Sequence, residues 1–267
     1  MRSKMEQYYT QRVKNILRHL QEFEKSVGEE GLHEFRVELK KLRAIIKFLR
    51  SEYGKSEIKK IKTTVDHVFQ EAGSLREQQL LLAWLGKNRL KRLQKEYATE
   101  NPVTEISDGL KKVLNGVRKK LAVILEKNRQ LVEKTGQATT DQYTAKLKHC
   151  IEGKLRHMPA EPEWHELRKL IKQWLYAVNW SSTDKSTSLS HLYTCSNQLQ
   201  EAIGNWHDAI NIHLSLLSMK SHLPKEPEIQ KDHAAGLQKI LAAIKHTAKE
   251  VEHLLMHSGF TGSNIQR

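Results

Sequence analysis

Apolar side chains recur at three- and four-residue spacing along almost the whole chain, and this pattern restricts the fold more than any other feature. Val13, Ile16, Leu17, Leu20 and Phe23 form one such set, Phe35, Leu39, Leu42, Ile46 and Leu49 a second, and Ile58, Ile61, Val65 and Val68 a third. No segment shows the two-residue alternation of a half-buried strand. Only 5 prolines and 13 glycines interrupt the 267 residues, so little in the composition opposes long helices. Breaks are expected at Gly28 to Gly31, Gly54, Gly73, Asn101-Pro102, Gly136 to Thr140, Pro159 to Pro162, Ser181 to Ser188, Gly204 and Pro224 to Pro227. The expectation is an all-α chain of about ten helices joined by short connections.

The second half of the chain repeats the first. LHEFRVELK at 32–40 aligns with WHELRKLIK at 164–172, an offset of 132 (165 − 33). EAGSLRE, ending at Glu77, aligns with EAIGNWHD, ending at Asp208, at an offset of 131 (208 − 77). LKKVLNGVRKKL from Leu110 resembles LQKILAAIKHTA from Leu237 at an offset of 127 (237 − 110). Three blocks in one order at nearly constant offset mark an internal duplication. The halves are residues 1–135 and 136–267.

One helix of each half carries the chemistry. At 3.6 residues per turn, His33, Arg36, Lys40, Arg43, Lys47 and Arg50 share an arc of about 100°. Phe35, Leu39, Leu42, Ile46 and Leu49 lie beside this ridge, and Glu34 and Glu38 point elsewhere. The duplicate helix places His165, Arg168 and Lys172 at the same angles, continued by Tyr176 and Asn179. Like charges a turn apart destabilise a bare helix by a few tenths of a kcal/mol per pair, so two ridges without acids on their own faces point to a bound anion. Arginine offers a planar fork to phosphate oxygens, lysine a mobile point charge, and histidine two donors when an anion favours its charged form.

The second repeated block extends the set. Ser74 to Glu77 has capping-box form and Asn205 offers an equivalent cap, so Gly73 and Gly204 are each expected to precede a helix start. Arg76 and His207 would then sit in first turns, where a cation is favourable only beside an anion or a carboxylate. Lys112 and Arg118, matched by Lys239 and Lys245, are weaker candidates, because lysine-rich helix faces are commonly just solvated.

With LHEFRVELKKLR and WHELRKLIKQWLY, the chain resembles the CHAD family, conserved-histidine α-helical domains, over nearly its whole length. The resemblance implies two pseudo-symmetric bundles of about four main helices each, forming one domain around a central basic cavity or groove that binds inorganic polyphosphate. It nominates His33, Arg36, Lys40, Arg43 and Arg76 in the first half and His165, Arg168 and Lys172 in the second. The chain departs from the family where Arg-Asp would follow the glycine: it has Arg76-Glu77 and His207-Asp208, and Leu175 stands opposite Arg43. The second half is therefore expected to contribute less charge.

The remaining composition bears on competing functions. Lys and Arg number 45 against 31 Asp and Glu, a net charge of +14, which attracts polyanions of any kind. Nucleic acid is the secondary partner, but aromatic residues make up only 6%, and Trp84, Trp164, Trp174 and Trp180 read as packing groups rather than a stacking platform. His33-Glu34 and His165-Glu166 are followed by Val37 and Lys169 in place of the second histidine of a zincin motif. Phosphate-binding glycine loops and nucleophile elbows are absent too, so no enzyme is expected. No metal or cofactor is expected either: His253 with His257, and His149 with His157, lack the acids or cysteines that would complete a site. Cys150 and Cys195 read as idle thiols of a reducing compartment. The polar start, Met1 to Thr10, and the lack of a long apolar run predict a cytoplasmic protein without membrane contact, one that would associate with polyphosphate granules if polyphosphate is its ligand.

Overall fold

The computed structural model describes residues 3–25, 29–101, 126, 128–181 and 187–257. Eight helices have both ends among them: α1 (Lys4–Lys25), α2 (Glu29–Tyr53), α3 (Lys55–Lys87), α4 (Lys91–Glu100), α5 (Gln137–Leu155), α6 (Glu161–Val178), α7 (Thr187–Met219) and α8 (Pro227–Met256), and residues 128–134 are helical as well. No strand occurs among the described residues, and the fold is all-α. None of the described helices is long and apolar enough to cross a membrane.

Local chemistry explains several boundaries. Gly54 ends α2 in a left-handed conformation, φ +89°, which glycine adopts without steric cost. Pro227 opens α8, where its missing N–H would have had no helical partner. Before α6, Trp164 Nε1 donates 2.8 Å to the Pro159 carbonyl, and Glu163 reaches back to the Ala160 amide at 3.1 Å. The ridge helix of the second half thus starts from a fixed point.

Two expected boundaries are absent. α3 runs unbroken through Gly73 and α7 through Gly204, so Arg76 and His207 lie in mid-helix rather than in first turns. A helix tolerates an interior glycine at a cost of about 0.5–1 kcal/mol relative to alanine, and each of these two meets a side chain from a neighbouring helix, described below.

The described helices divide between two compact units. One comprises Met1–Gln79, Asn101–Tyr143 and Tyr176–Ser182, the other Leu80–Glu100, Thr144–Leu175 and Thr183–Arg267. They are not coextensive with the sequence halves, since each draws residues from both.

In the first unit α1 packs on α2. Met5, Tyr9, Ile16 and Leu20 of α1, with Leu32, Phe35, Leu39, Leu42, Ile46 and Leu49 of α2, are no more than 2% exposed. Each contributes about 1.5–3 kcal/mol by leaving water. This orientation turns the α2 ridge outward from the α1 contact: His33 and Lys47 are exposed, and Arg36, Lys40, Arg43 and Arg50 half-buried. Glu38 lies on the buried side, where it accepts from Arg12 Nη1 at 3.0 Å and Lys41 Nζ at 2.7 Å. Phe48 meets Tyr143 at 4.8 Å and Trp180 at 6.3 Å between ring centroids.

In the second unit α4 and α7 both pack on α8. Leu81, Leu85, Leu90, Leu93, Leu216 and Ile240 form the centre of its core. Asp232 caps α4 by accepting from the Arg92 amide at 3.2 Å, and Arg92 pairs with Glu228. Trp164 and Trp174 are buried here, as Trp180 is in the first unit, and Trp84 packs against this core.

Candidate functional site

Arg36 reaches from α2 to α3. Its Nη1 donates 3.0 Å to the Phe69 carbonyl, and its guanidinium lies over the Phe69 ring, 4.5 Å from the centroid. Nη1 occupies the place where a side chain at Gly73 would begin, 3.0 Å from an ideal Cβ. Arg168 does the same between α6 and α7: its Nε donates 3.0 Å to the Gln200 carbonyl, and its Nη2 lies 2.6 Å from where a Gly204 Cβ would stand. Arginine, acceptor and glycine recur at offsets of 132, 131 and 131 (168 − 36, 200 − 69, 204 − 73). The repeat read from sequence is therefore also a repeat of contact geometry within each unit.

Beside each arginine stands the histidine of the same ridge. The His165 and His207 rings stack with centroids 4.5 Å apart and planes 21° from parallel. Their sequence neighbours Trp164 and Trp206 meet edge-on at 5.0 Å, a core contact that holds α6 and α7 in the register the histidines need. His165 has its pKa lowered by burial, then by His207, Lys169 and Arg168, against the opposing pull of Glu166. His33, although exposed, is likewise lowered, first by partial desolvation and then by Arg76. His33 with Arg76 in one unit thus matches His165 with His207 in the other.

Polar neighbours complete the two clusters. Lys172 Nζ donates 3.2 Å to Gln200 Oε1, whose Nε2 in turn donates 3.1 Å to Asn197 Oδ1. Arg76 Nη1 lies 3.4 Å from Gln79 Oε1, and Asn211 Nδ2 donates 3.2 Å to His207 Nδ1. Phe69, Gln79, Gln200 and Asn211 did not stand out in the sequence. Their signal was positional, since Phe69 and Gln200 lie one helical turn before the two glycines.

The first ridge is less free of acid than its own helix suggests. Asp66 of α3 pairs with Arg43 Nε at 2.8 Å, while Arg43 also covers the Phe69 ring, 4.4 Å from the centroid. In the second half the corresponding residues are Leu175 and Asn197, so both members of the ion pair are replaced together by uncharged groups. Arg43 accordingly serves the α2–α3 contact, whereas Arg36 and Arg168 persist.

Other nominated residues are placed differently. Lys47 and Lys245 are exposed. Lys239 donates 2.8 Å to the Asn88 carbonyl just beyond the end of α3, a contact that closes that helix. Lys112 and Arg118 lie outside the described residues. No group of three or more His, Cys, Asp or Glu residues suited to a metal occurs among the described residues.

The family model described as CHAD domain matches residues 10–213, more than half of the chain. The crystal structure of the CHAD domain from the plant Ricinus communis is similar in fold, with a TM-score of 0.69 at 14% identity, covering 95% of this chain and 90% of that one. No curated protein matches. The paired helices, their repeated His/Arg/Lys pattern and this match over residues 10–213 together show that the chain belongs to the CHAD domain family.

Proposed function

We propose that this protein binds inorganic polyphosphate through its two His/Arg/Lys clusters and does not turn it over. The reading rests above all on the doubled geometry: in each unit an arginine is held against a neighbouring helix at a glycine, with a ridge histidine beside a second cationic or titratable group. Polyphosphate binding is the general association of the CHAD family. A polyphosphate chain presents only charge and oxygen acceptors, so cations and imidazoles suffice to hold it. Its binding needs no aromatic platform, and the tryptophans closest to the clusters are occupied in the core. His33, Arg36, Lys40 and Arg76 make up one cluster, and His165, Arg168, Lys172 and His207 the other. The non-catalytic part of the reading is supported by the described residues, among which no group of three or more His, Cys, Asp or Glu is suited to hold a catalytic divalent ion.

A competition titration tests the ligand. Long-chain polyphosphate should displace labelled double-stranded DNA at far lower concentration per phosphate, and Arg36→Ala with Arg168→Ala should weaken polyphosphate binding and flatten its dependence on salt. The reverse order of displacement would make nucleic acid the ligand. Unchanged chain length after prolonged incubation with divalent ions is expected, and shortening would refute the absence of turnover. In the cell the reading predicts a cytoplasmic protein that co-sediments with polyphosphate granules.

A further inference from the structure

Gly73 and Gly204 weaken the helices that contain them, and the same residue type stands at both positions of the duplication. An interior glycine costs a helix about 0.5–1 kcal/mol relative to alanine. Neither has a positive φ among the described backbone, so conformational need does not explain them. What they share is the group beside them: Nη1 of Arg36 lies 3.0 Å from an ideal Cβ at Gly73, and Nη2 of Arg168 lies 2.6 Å from one at Gly204. At Gly204 the Cζ and Nε atoms of Arg168 also lie 3.1 Å away. Other helical glycines differ. Gly153 faces nothing within 4 Å, Gly86 faces Gln94, and Gly236 faces leucines.

We infer that Gly73 and Gly204 are positioning residues for the anion site, each leaving a Cβ-sized seat in which a ridge guanidinium is fixed against a helix backbone. The inference rests on the polyphosphate reading and names what orients its two recurring arginines. The acceptor in each seat is a neutral carbonyl, that of Phe69 or Gln200, so this bond fixes orientation without cancelling charge. A guanidinium carries five N–H donors in one rigid plane. Tying one of them to a carbonyl sets the direction of the rest, which lowers the ordering cost when phosphoryl oxygens bind. Arg12 and Arg43 are held differently in the same protein: Arg12 pairs with the carboxylate of Glu38 and Arg43 with that of Asp66, contacts that offset charge. The seated arginine, unlike these, recurs in the second half, where Leu175 and Asn197 stand in place of the Arg43–Asp66 pair.

Alanine at either glycine fills the seat with one methyl group. The group it meets is the end of a flexible side chain, which can swing to solvent, so the helix keeps its form and gains propensity. Gly73→Ala, Gly204→Ala and the double variant, made in the full chain, are compared with wild type by long-chain polyphosphate titration across a salt series and by thermal melting. Each single variant should lose about tenfold in affinity, the scale of one charge-assisted hydrogen bond, with an unchanged or raised melting temperature. The salt slope should stay near wild type, because the charge remains, whereas Arg36→Ala should lower it by roughly one phosphate contact. In the Arg36→Ala background, Gly73→Ala should cost no further affinity.

Affinity within about twofold of wild type in the double alanine variant would overturn the inference while leaving the polyphosphate reading standing. A fall in melting temperature of about 5 °C or more would also overturn it, since the seat would then be a structural staple. An affinity loss that persists undiminished in the Arg36→Ala background would do the same. Wild-type protein that fails to bind polyphosphate at all would overturn both.

Discussion

Replacing Glu38 by alanine should destabilise the first unit strongly while leaving the two His/Arg clusters chemically intact. The Glu38 side chain is 3% exposed and pairs with Arg12, itself 15% exposed, at 3.0 Å, and with Lys41 at 2.7 Å. Removing one member of a buried pair leaves the other charge without compensation, at a cost of about 3–5 kcal/mol. Three features place the expectation at the low end. The Arg12 guanidinium also lies over the Tyr8 ring, 4.8 Å from its centroid, and Lys41 is exposed enough to regain water. The second Glu38 oxygen has no hydrogen-bond partner among the described residues, so part of its desolvation cost is recovered on removal. A loss of about 3 kcal/mol is therefore expected, read as a lower midpoint in urea unfolding at unchanged slope. Joint replacement of Arg12 and Glu38 by leucine should restore most of it, because a well-packed apolar pair matches or exceeds a buried ion pair. A cost below about 1 kcal/mol for Glu38→Ala would show that the pair is effectively solvated and the reasoning mistaken. Polyphosphate affinity measured on the folded fraction should remain within about twofold of wild type.

Three further outcomes follow from the clusters. His33 and His165 both have pKa values held below the ordinary 6.5, so their neutral forms belong to the folded protein. The stability they contribute is present above 6.5 and is lost as pH falls from there towards the lowered values. A bound polyanion favours the charged forms, so polyphosphate affinity should rise over that acidic interval while the ligand-free melting temperature falls; a flat affinity from pH 8 to about 5.5 would exclude the histidines from binding. His207→Arg supplies at the second cluster the permanent charge that Arg76 supplies at the first, and should raise affinity at pH 8 and reduce its pH dependence, both readable by the same titration. Arg43→Leu combined with Asp66→Asn copies the second half's solution and should retain the fold and most polyphosphate affinity; a loss as large as that of Arg36→Ala would return Arg43 to the ligand set.

The all-helical class, the duplicated blocks and the ridge residues were legible because each depends on spacing along one helix. A period of 3.6 residues places Phe35, Leu39 and Leu42 on one side and Arg36, Lys40 and Arg43 beside them whatever surrounds the helix. The five apolar residues of that reading are all buried along α2, and so are Glu38, Ala44, Ile45 and Phe48, which it did not place in the core. The approach of Arg76 to His33 and of His207 to His165 was foreshadowed by the order of the blocks, although their geometry was not.

The same local rules misread Gly73 and Gly204. A glycine followed by a capping residue has the form of a helix start, and a glycine that makes room for a guanidinium has the same form in one dimension. Only the packing of α2 against α3 and of α6 against α7 separates the two meanings, because the Cβ that glycine lacks would collide with an atom more than thirty residues away in the chain. Asp66 is a parallel case. It lies on another helix from Arg43, so no helical wheel of α2 could reveal that this ridge member is paired. Sequence alone determined which side chains share a face, since that is a property of one helix. Tertiary structure decided which of those side chains meet a carboxylate and which a backbone carbonyl on the neighbouring helix, since that depends on the register between helices.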